Sequence, residues 1–400
     1  MERVAEGYYR GRTPRQGGSR HHGPGHLLSQ AAGKAGAFFR AQPVLVIAFI
    51  AAVVTMFFVP PDAQYIGYCN FSVLAELFAL MIAVAGLKSA GIFEKLTAAL
   101  LRRAGSVRRL AQIFTLLCFF SSMLVTNDVA LITFVPLTLL TFSAMDDDRA
   151  RIITIVLETA AANLGSMMTP IGNPQNLYIY DEYGLSAGEF IMTMLPAGAV
   201  SLVCLLMLSL LVPKTACKPR EDDAAGISGK LAAVYGVLFA VCVITVFKVL
   251  PFWVCAVAAV AAAVIFDRKL LLKADYALLA TFICFFVFVG NIARIDAIHD
   301  FFSGIMAGRE ILVSALLSQG ISNVPAAVML RGFTANGTAL LAGVNIGGLG
   351  TPIASMASLI SLQFYRKAEG AHSARYMAVF SAVNFSLLAL LLCIYLFLLQ

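Results

Sequence analysis

Four short polar stretches interrupt otherwise apolar runs, and their residue types suit the handling of small ions. The first is 121–136, SSMLVTNDVALITFVP, centred on Thr126, Asn127 and Asp128. The second is 163–176, NLGSMMTPIGNPQN, with Gly165, Ser166, Thr169, Gly172, Asn173 and Asn176 as candidates. The third is 316–330, LLSQGISNVPAAVML, centred on Ser322 and Asn323. The fourth is 345–358, NIGGLGTPIASMAS, with Asn345, Gly347, Gly348, Gly350, Thr351 and Ser355. Hydroxyl, amide and unwound carbonyl oxygens suit Na⁺, whereas helix ends with unbonded N–H groups attract an anion. Glycine lets such a backbone approach a ligand, and Pro170, Pro174, Pro325 and Pro352 are expected to stop helix continuation.

Two unlike motifs recur here in the same order, which marks an internal duplication. Polar backbone at membrane depth is tolerated where it is buried in protein or lines a cavity. Paired, interrupted hydrophobic segments in the two halves of a chain point to the substrate site of a secondary transporter. The alternative is a set of ordinary kinks packing small residues between helices. Four breaks, duplicated in order, argue against it.

Three carboxylates fall inside apolar spans: Glu76, Asp128 and Glu158. An ionised acid at the bilayer centre costs at least about 2.5–3.5 kcal/mol, so such groups line a polar pathway or find a partner. With the halves aligned, Ala280, Val324 and Leu340 stand opposite them, so all three acids belong to the first half. They are the coupling candidates. Asp128, at a break, is the one expected to bind Na⁺ or carry a proton, with Asn127 and Asn323 as further Na⁺ ligands. Glu158 has a second reading, neutralising Arg151 nearby, and Glu76 a second reading as a protonated or hydrogen-bonded structural acid. No Lys or Arg sits at mid-span, which leaves an anion to be held by helix ends, amides, hydroxyls and bound cations.

The elements that must carry these groups follow from composition and charge. The chain has 400 residues, of which 60% are hydrophobic and 13% charged, and a mean hydropathy of +0.85. A soluble domain carries about 25% charge, so these values place the chain in a bilayer. Spans are expected at 43–60, 70–87, 190–212, 231–249, 251–266, 276–292 and 376–398. Two more, 152–180 and 338–365, are broken in the middle. The stretches 110–142 and 311–331 predict helical hairpins that enter and leave on one side, because each arm is shorter than the roughly 20 residues a crossing needs. Segment 91–103 suits a helix lying in the interface, and 295–306 is its counterpart or an ordinary loop.

Basic residues set the orientation. With the polar, basic tail 1–42 inside, the segments 1–42, 88–109, 145–151, 213–230, 267–273 and 366–375 hold 25 of the 29 Lys and Arg. That asymmetry follows the positive-inside rule and makes the N-terminus cytoplasmic. The first hairpin then enters from the cytoplasm and the second from outside. The organisation predicted is a disordered tail 1–42, a first inverted repeat 43–212, a cytoplasmic loop and linking helix 213–250, and a second inverted repeat 251–400.

Other classes find little support. The net charge of +7 is spread over loops beside spans, which argues against nucleic acid as a partner. The eight cysteines lie mostly in apolar spans, never as CxxC, and the five histidines sit in the tail or in loops. No HExxH or Gly-rich phosphate loop is present, and no cofactor is expected beyond Na⁺ or H⁺ as coupling ion.

The stretches TNDVALITFVPL (126–137), TPIGNPQNLYIY (169–180), SNVPAAVML (322–330) and GVNIGGLGTPIASMASLIS (343–361) resemble the ion-transporter superfamily. Within it, the chain is most similar to the divalent-anion/sodium symporters and citrate-type permeases, related to arsenite permeases and one family of sodium/proton antiporters. The resemblance covers about 43–398. It implies an all-α polytopic membrane protein of inverted repeats, each with a re-entrant hairpin and a broken transmembrane helix, working by elevator-like alternating access as a homodimer. It also implies Ser-Asn-Thr triplets at both hairpin tips, which fall here on Thr126-Asn127-Asp128 and Ser322-Asn323-Val324. The Asn matches in both halves and the third position in neither. The function expected is secondary transport of a small anion, a di- or tricarboxylate or an inorganic oxyanion, coupled to Na⁺ or H⁺ in a prokaryotic cytoplasmic membrane. Na⁺/H⁺ antiport and arsenite efflux are the alternatives.

Overall fold

Capping side chains and prolines decide where the apolar runs begin and end as helices. The computed structural model describes residues 42–101, 104–142, 147–216 and 226–398. The tail expected over 1–42 therefore lies, except for Gln42, outside the described residues. Helix α1 (Pro43–Met56) is shorter than the span expected, ending ahead of Pro60 and Pro61, which cannot extend it. Asn70 caps α2 (Phe71–Ser89) by accepting from the Val73 amide at 3.1 Å. The amphipathic α3 (Ile92–Leu101) follows.

Helices α4 (Val107–Ser122) and α5 (Asn127–Phe142) form the first hairpin. The first interrupted span is α6 (Asp148–Ser166) and α7 (Pro174–Glu182), followed by α8 (Ala187–Ser209) behind a Ser186–Glu189 capping box. After α9 (Gly229–Val246) and α10 (Phe252–Phe266) the same order of elements returns. A span, α11 (Tyr276–Ile292), bends by 104° into the amphipathic α12 (Asp296–Met306). A helix thus stands where the sequence left helix and loop open. The second hairpin is α13 (Glu310–Ile321) and α14 (Asn323–Arg331). The second interrupted span is α15 (Gly337–Ile346) and α16 (Met356–Lys367), and α17 (Ser373–Leu398) closes the chain.

Every described element is helical, and the only β feature among the described residues is an isolated Ser106–Ala216 bridge. Among the described residues, four helices, α2, α8, α9 and α17, are long and apolar enough to cross a membrane. Large apolar side chains stay exposed on the outer helices, among them Ile47 and Phe49 of α1, Met207 of α8 and Trp253 and Val257 of α10. Such a surface fits lipid rather than water.

Packing divides the helices into two groups. Hairpins and interrupted spans pack together: α6 against α4, α5, α8 and α17, and α15 against α13 and α14. Each hairpin also packs across the halves, α5 on α16 and α14 on α7. Around this centre, α1 packs on α11, and α2 on α9 and α10.

Arg294 pairs with Asp62 at 2.9 Å, Arg331 with Glu182 at 2.7 Å, and Lys248 with Asp181. Arg108 Nε donates to the Val212 carbonyl at 2.8 Å, and Arg151 reaches the Gly370 carbonyl at 3.1 Å.

Candidate functional site

Both hairpin tips hold a non-glycine residue in the left-handed half of backbone space, immediately before the matched Asn. Thr126 has φ 47° and Ser322 has φ 76°, ψ 154°. The latter combination is close to glycine-only, and such residues cost about 1–3 kcal/mol each. At the second tip the cost arises because Ser322 alone both ends α13 and starts α14; at the first, Thr126 directly precedes α5. At the first tip the backbone N–H of Asn127, at the start of α5, faces the interrupted span and donates to the Gly172 carbonyl.

A threonine staples each tip to the break beside it. The Thr169 hydroxyl donates to the Met123 carbonyl, and the Thr351 hydroxyl donates to the Gln319 carbonyl at 2.8 Å. Met123 and Gln319 each stand four residues before the tip Asn, so the two bonds are equivalent. The breaks are close-packed. A Cβ on Gly165 would lie 2.0 Å from the Phe119 carbonyl, and one on Gly172 2.0 Å from that of Ser166. Gly347 and Gly348 are crowded likewise, and only Gly350 among the site glycines has positive φ, at 98°.

The prolines act differently from expectation at two positions. Pro174 is the first residue of α7, and Pro325 lies in the first turn of α14. They open these helices rather than stop them, because first-turn N–H groups have no intrahelical partner to lose. Pro170 lies in the first break, and Pro352 starts the 3₁₀ turn Pro352–Ala354 in the second.

Buried amides link the two breaks reciprocally. With Thr169 aligned on Thr351, Asn163 falls opposite Asn345, and Asn173 and Asn176 opposite Ser355 and Ser358. Asn163 accepts from Ser355 Oγ at 2.9 Å and donates to Ser358 Oγ at 3.4 Å. Asn345 accepts from Asn173 Nδ2 at 3.2 Å and donates to Asn176 Oδ1 at 2.6 Å. Each half thus binds the other through the same two positions. Ser166 joins the cluster, its hydroxyl accepting from Asn173 Nδ2 at 3.2 Å.

The tips enter this network unequally. Asn127 Nδ2 donates to Asn163 Oδ1 at 3.0 Å, and the Asn127 amide donates to the Gly172 carbonyl at 3.2 Å. The first tip is therefore bonded to its own break and, through Asn163, to Ser355. At the second tip, Ser322 Oγ donates to the Ala354 carbonyl and to Asn323 Oδ1, both at 3.4 Å. A Cβ on Gly348 would meet Asn323 Nδ2 at 2.8 Å.

The three acids lie in different surroundings. Asp128 is at the first tip, half-buried, with Oδ1 enclosed and without a hydrogen-bond partner. Glu158 is fully buried and accepts from the Thr138 hydroxyl at 2.6 Å, while its other oxygen has no partner. It does not neutralise Arg151, which pairs with Asp148 at 2.5 Å instead. Glu76 accepts from Ser72 at 3.2 Å and lines a cavity with Lys248 and the α9–α10 connection. It stands apart from the tips. No cluster of three or more His, Cys, Asp or Glu side chains occurs among the described residues, so a cation at the tips would rest on neutral oxygens and Asp128.

Three participants escape a reading of the sequence: Asn163, Ser358 and Gln319. Asn163 and Ser358 lie at the ends of the polar stretches and look like ordinary helix residues. Only the alignment of the two breaks, which puts Asn163 opposite Asn345, could have flagged the first. Gln319 carries no signal of its own, because a lone amide in an apolar helix has many readings.

Amides, hydroxyls and strained tips enclosed by membrane-type helices suit a polytopic membrane transporter, and the family and relatives are transporters. The chain belongs to the citrate transporter family, which matches it over residues 36–337. It is 33% identical to the uncharacterized transporter MJ0456 of Methanocaldococcus jannaschii, over 74% of this chain and 81% of that one. It is 31% identical to the inner membrane protein YbiR of Escherichia coli, over 77% and 83%. A shorter match, 33% identical over 39% of this chain and 33% of the relative, links it to the silicon efflux transporter LSI3 of rice. Among solved structures, the YdaH transporter of Alcanivorax borkumensis shares the fold with a TM-score of 0.53 at 16% identity, covering 84% and 87%.

Proposed function

We propose that this protein is a secondary active transporter that carries a small anion, a di- or tricarboxylate or an inorganic oxyanion, coupled to Na⁺ or H⁺. The observation that carries this reading is the pair of strained tips, Thr126 and Ser322, each presenting an Asn and a helix N-terminus to an interrupted span. Asn127 and Asn323 hold the substrate or ion. Thr169, Asn173, Asn176 and Thr351 complete the site, and Asp128 sets the coupling. The family and the relatives support transport as the class; the anion and the coupling ion are our reading of the site's chemistry.

In the same reading, 43–212 and 251–400 are inverted repeats joined by 213–250, and the central helices move against the peripheral ones. The protein works as a homodimer in a prokaryotic inner membrane with its N-terminus in the cytoplasm. The recurring element order and the reciprocal amides support the repeats, and the similarity to YbiR supports the membrane.

The test is purified protein in liposomes under imposed Na⁺ and pH gradients, following internal pH and uptake of labelled citrate, succinate and sulfate. Substrate-dependent uptake driven by one gradient is expected. Proton movement on adding Na⁺ without any anion would overturn the anion reading in favour of a Na⁺/H⁺ antiporter. That second reading is favoured by one observation, the enclosed and unpartnered Asp128 Oδ1. Oxyanion or arsenite efflux would show instead as outward movement and as resistance in cells.

A further inference from the structure

The two breaks are held by equivalent threonine bonds, yet the side chains at the matched hairpin positions differ: Met123 in the first half, Gln319 in the second. Gln319 is not a bystander. Its Nε2 shares its two hydrogens among three carbonyl oxygens, those of Ala315 at 3.1 Å, Gly347 at 2.8 Å and Leu349 at 3.0 Å. Two of these belong to the unwound stretch and one to the hairpin arm. Its Oε1 accepts from the Thr351 amide at 2.9 Å. These partners allow one orientation of the amide, since three acceptors surround one end and a backbone donor meets the other. The fit is tight: a Cβ on Gly350 would lie 2.2 Å from Gln319 Oε1.

Unwound carbonyls at a break are ligands an alkali-metal cation takes in such transporters, and here two of them, with one from a hairpin arm, converge on one point. Here that point holds an amide nitrogen carrying partial positive charge. We propose that Gln319 is a built-in substitute for a cation. It occupies the Gly347 and Leu349 carbonyls of the second break permanently, so that this half takes no coupling ion and cation coupling is confined to the first half. There the matched residue, Met123, has no donor to offer, and Asp128 lies at the tip with its enclosed Oδ1 unpartnered. This inference rests on the transport reading for its consequence, but its physical content is local: removing the amide should convert the second break into a binding site for Na⁺ or K⁺.

The experiment is the melting temperature of the purified full-length chain in choline, sodium and potassium chloride at equal ionic strength. The wild type is compared with Gln319→Ala and Gln319→Met, the latter placing in the second half the residue the first half already has. Both variants should melt below the wild type in choline. Both should recover with Na⁺ or K⁺, by about 2–4 °C more than any cation shift of the wild type. Should neither variant fold in choline, Gln319→Glu gives the discriminating case. An oxygen then faces three carbonyls, and folded protein should be obtained in Na⁺ or K⁺ but not in choline. Equal cation shifts in wild type and variants, or no rescue of any variant by a cation, would overturn the proposal and leave Gln319 a structural staple. If the wild type carried no anion in liposomes, the transport reading would fall while this measurement kept its meaning.

Discussion

At the scale of the residue, the site is made from neutral groups in costly conformations. Asn127→Ala removes the bond to Asn163 Oδ1, and Asn323→Ala removes the only side-chain amide at the second tip. Both variants should insert in the membrane and lose transport, read as uptake in liposomes against surface expression; wild-type uptake in either would remove the tips from the site. Ser322→Gly should relieve about 1 kcal/mol of backbone strain, partly offset by the lost bond to the Ala354 carbonyl, so its melting temperature should not fall. A clear drop would mean that the hydroxyl outweighs the strain. Asp128→Asn should change the Na⁺ or pH dependence of transport more than its substrate choice. An unchanged profile would end its coupling role. Much of this was legible beforehand: Asn127, Asn173, Asn323 and Asn345 stand out as amides in apolar surroundings. Gln319 did not, because its meaning lies in three carbonyls brought to it by other parts of the chain.

At the scale of the element, helix types and order followed from pattern. The positions of α11 and α12 agree closely with the apolar run 276–292 and the segment 295–306. Periodicity and caps are local properties and can be read locally. The roles of Pro174 and Pro325 were misjudged because proline opens and ends helices by the same chemistry, and only the helix boundary decides which. Close approach of elements is likewise invisible in one dimension. Gly165 looks like any small residue of α6, yet a Cβ there would sit 2.0 Å from the Phe119 carbonyl of α4. Gly165→Ala should therefore push α4 and α6 apart and destabilise the protein by about 1–3 kcal/mol, measured as a lower melting temperature. A neutral result would show that these helices can part without loss.

At the scale of the whole molecule, the central and peripheral helices share a small polar contact besides the packing of α11 on α14 and α2 on α7. Asn70 Nδ2 donates to Asp181 Oδ2 at 2.7 Å and to Glu182 Oε2 at 3.1 Å, and Lys248 pairs with Asp181. If the centre moves against the periphery during transport, these bonds break in every cycle. Asp181→Ala should then raise the turnover rate by roughly two- to fivefold, the worth of a partly exposed ion pair. A slower or unchanged rate would argue that this contact stays closed throughout.

Residue types and their order were enough to place the chain among membrane transporters and to locate its helices and breaks. Hydropathy, capping and charge bias act over a few residues and are written along the chain. The partners of those residues were decided by the fold. Ser355 reaches Asn163 from 192 residues away, and Asn173 reaches Asn345 across 172. Hydrogen bonding depends on tenths of an ångström between groups whose separation in sequence carries no information about their distance in space. For that reason the reciprocal amides, the isolation of Glu76 from the tips and the amide held among three carbonyls emerged only once the helices were packed.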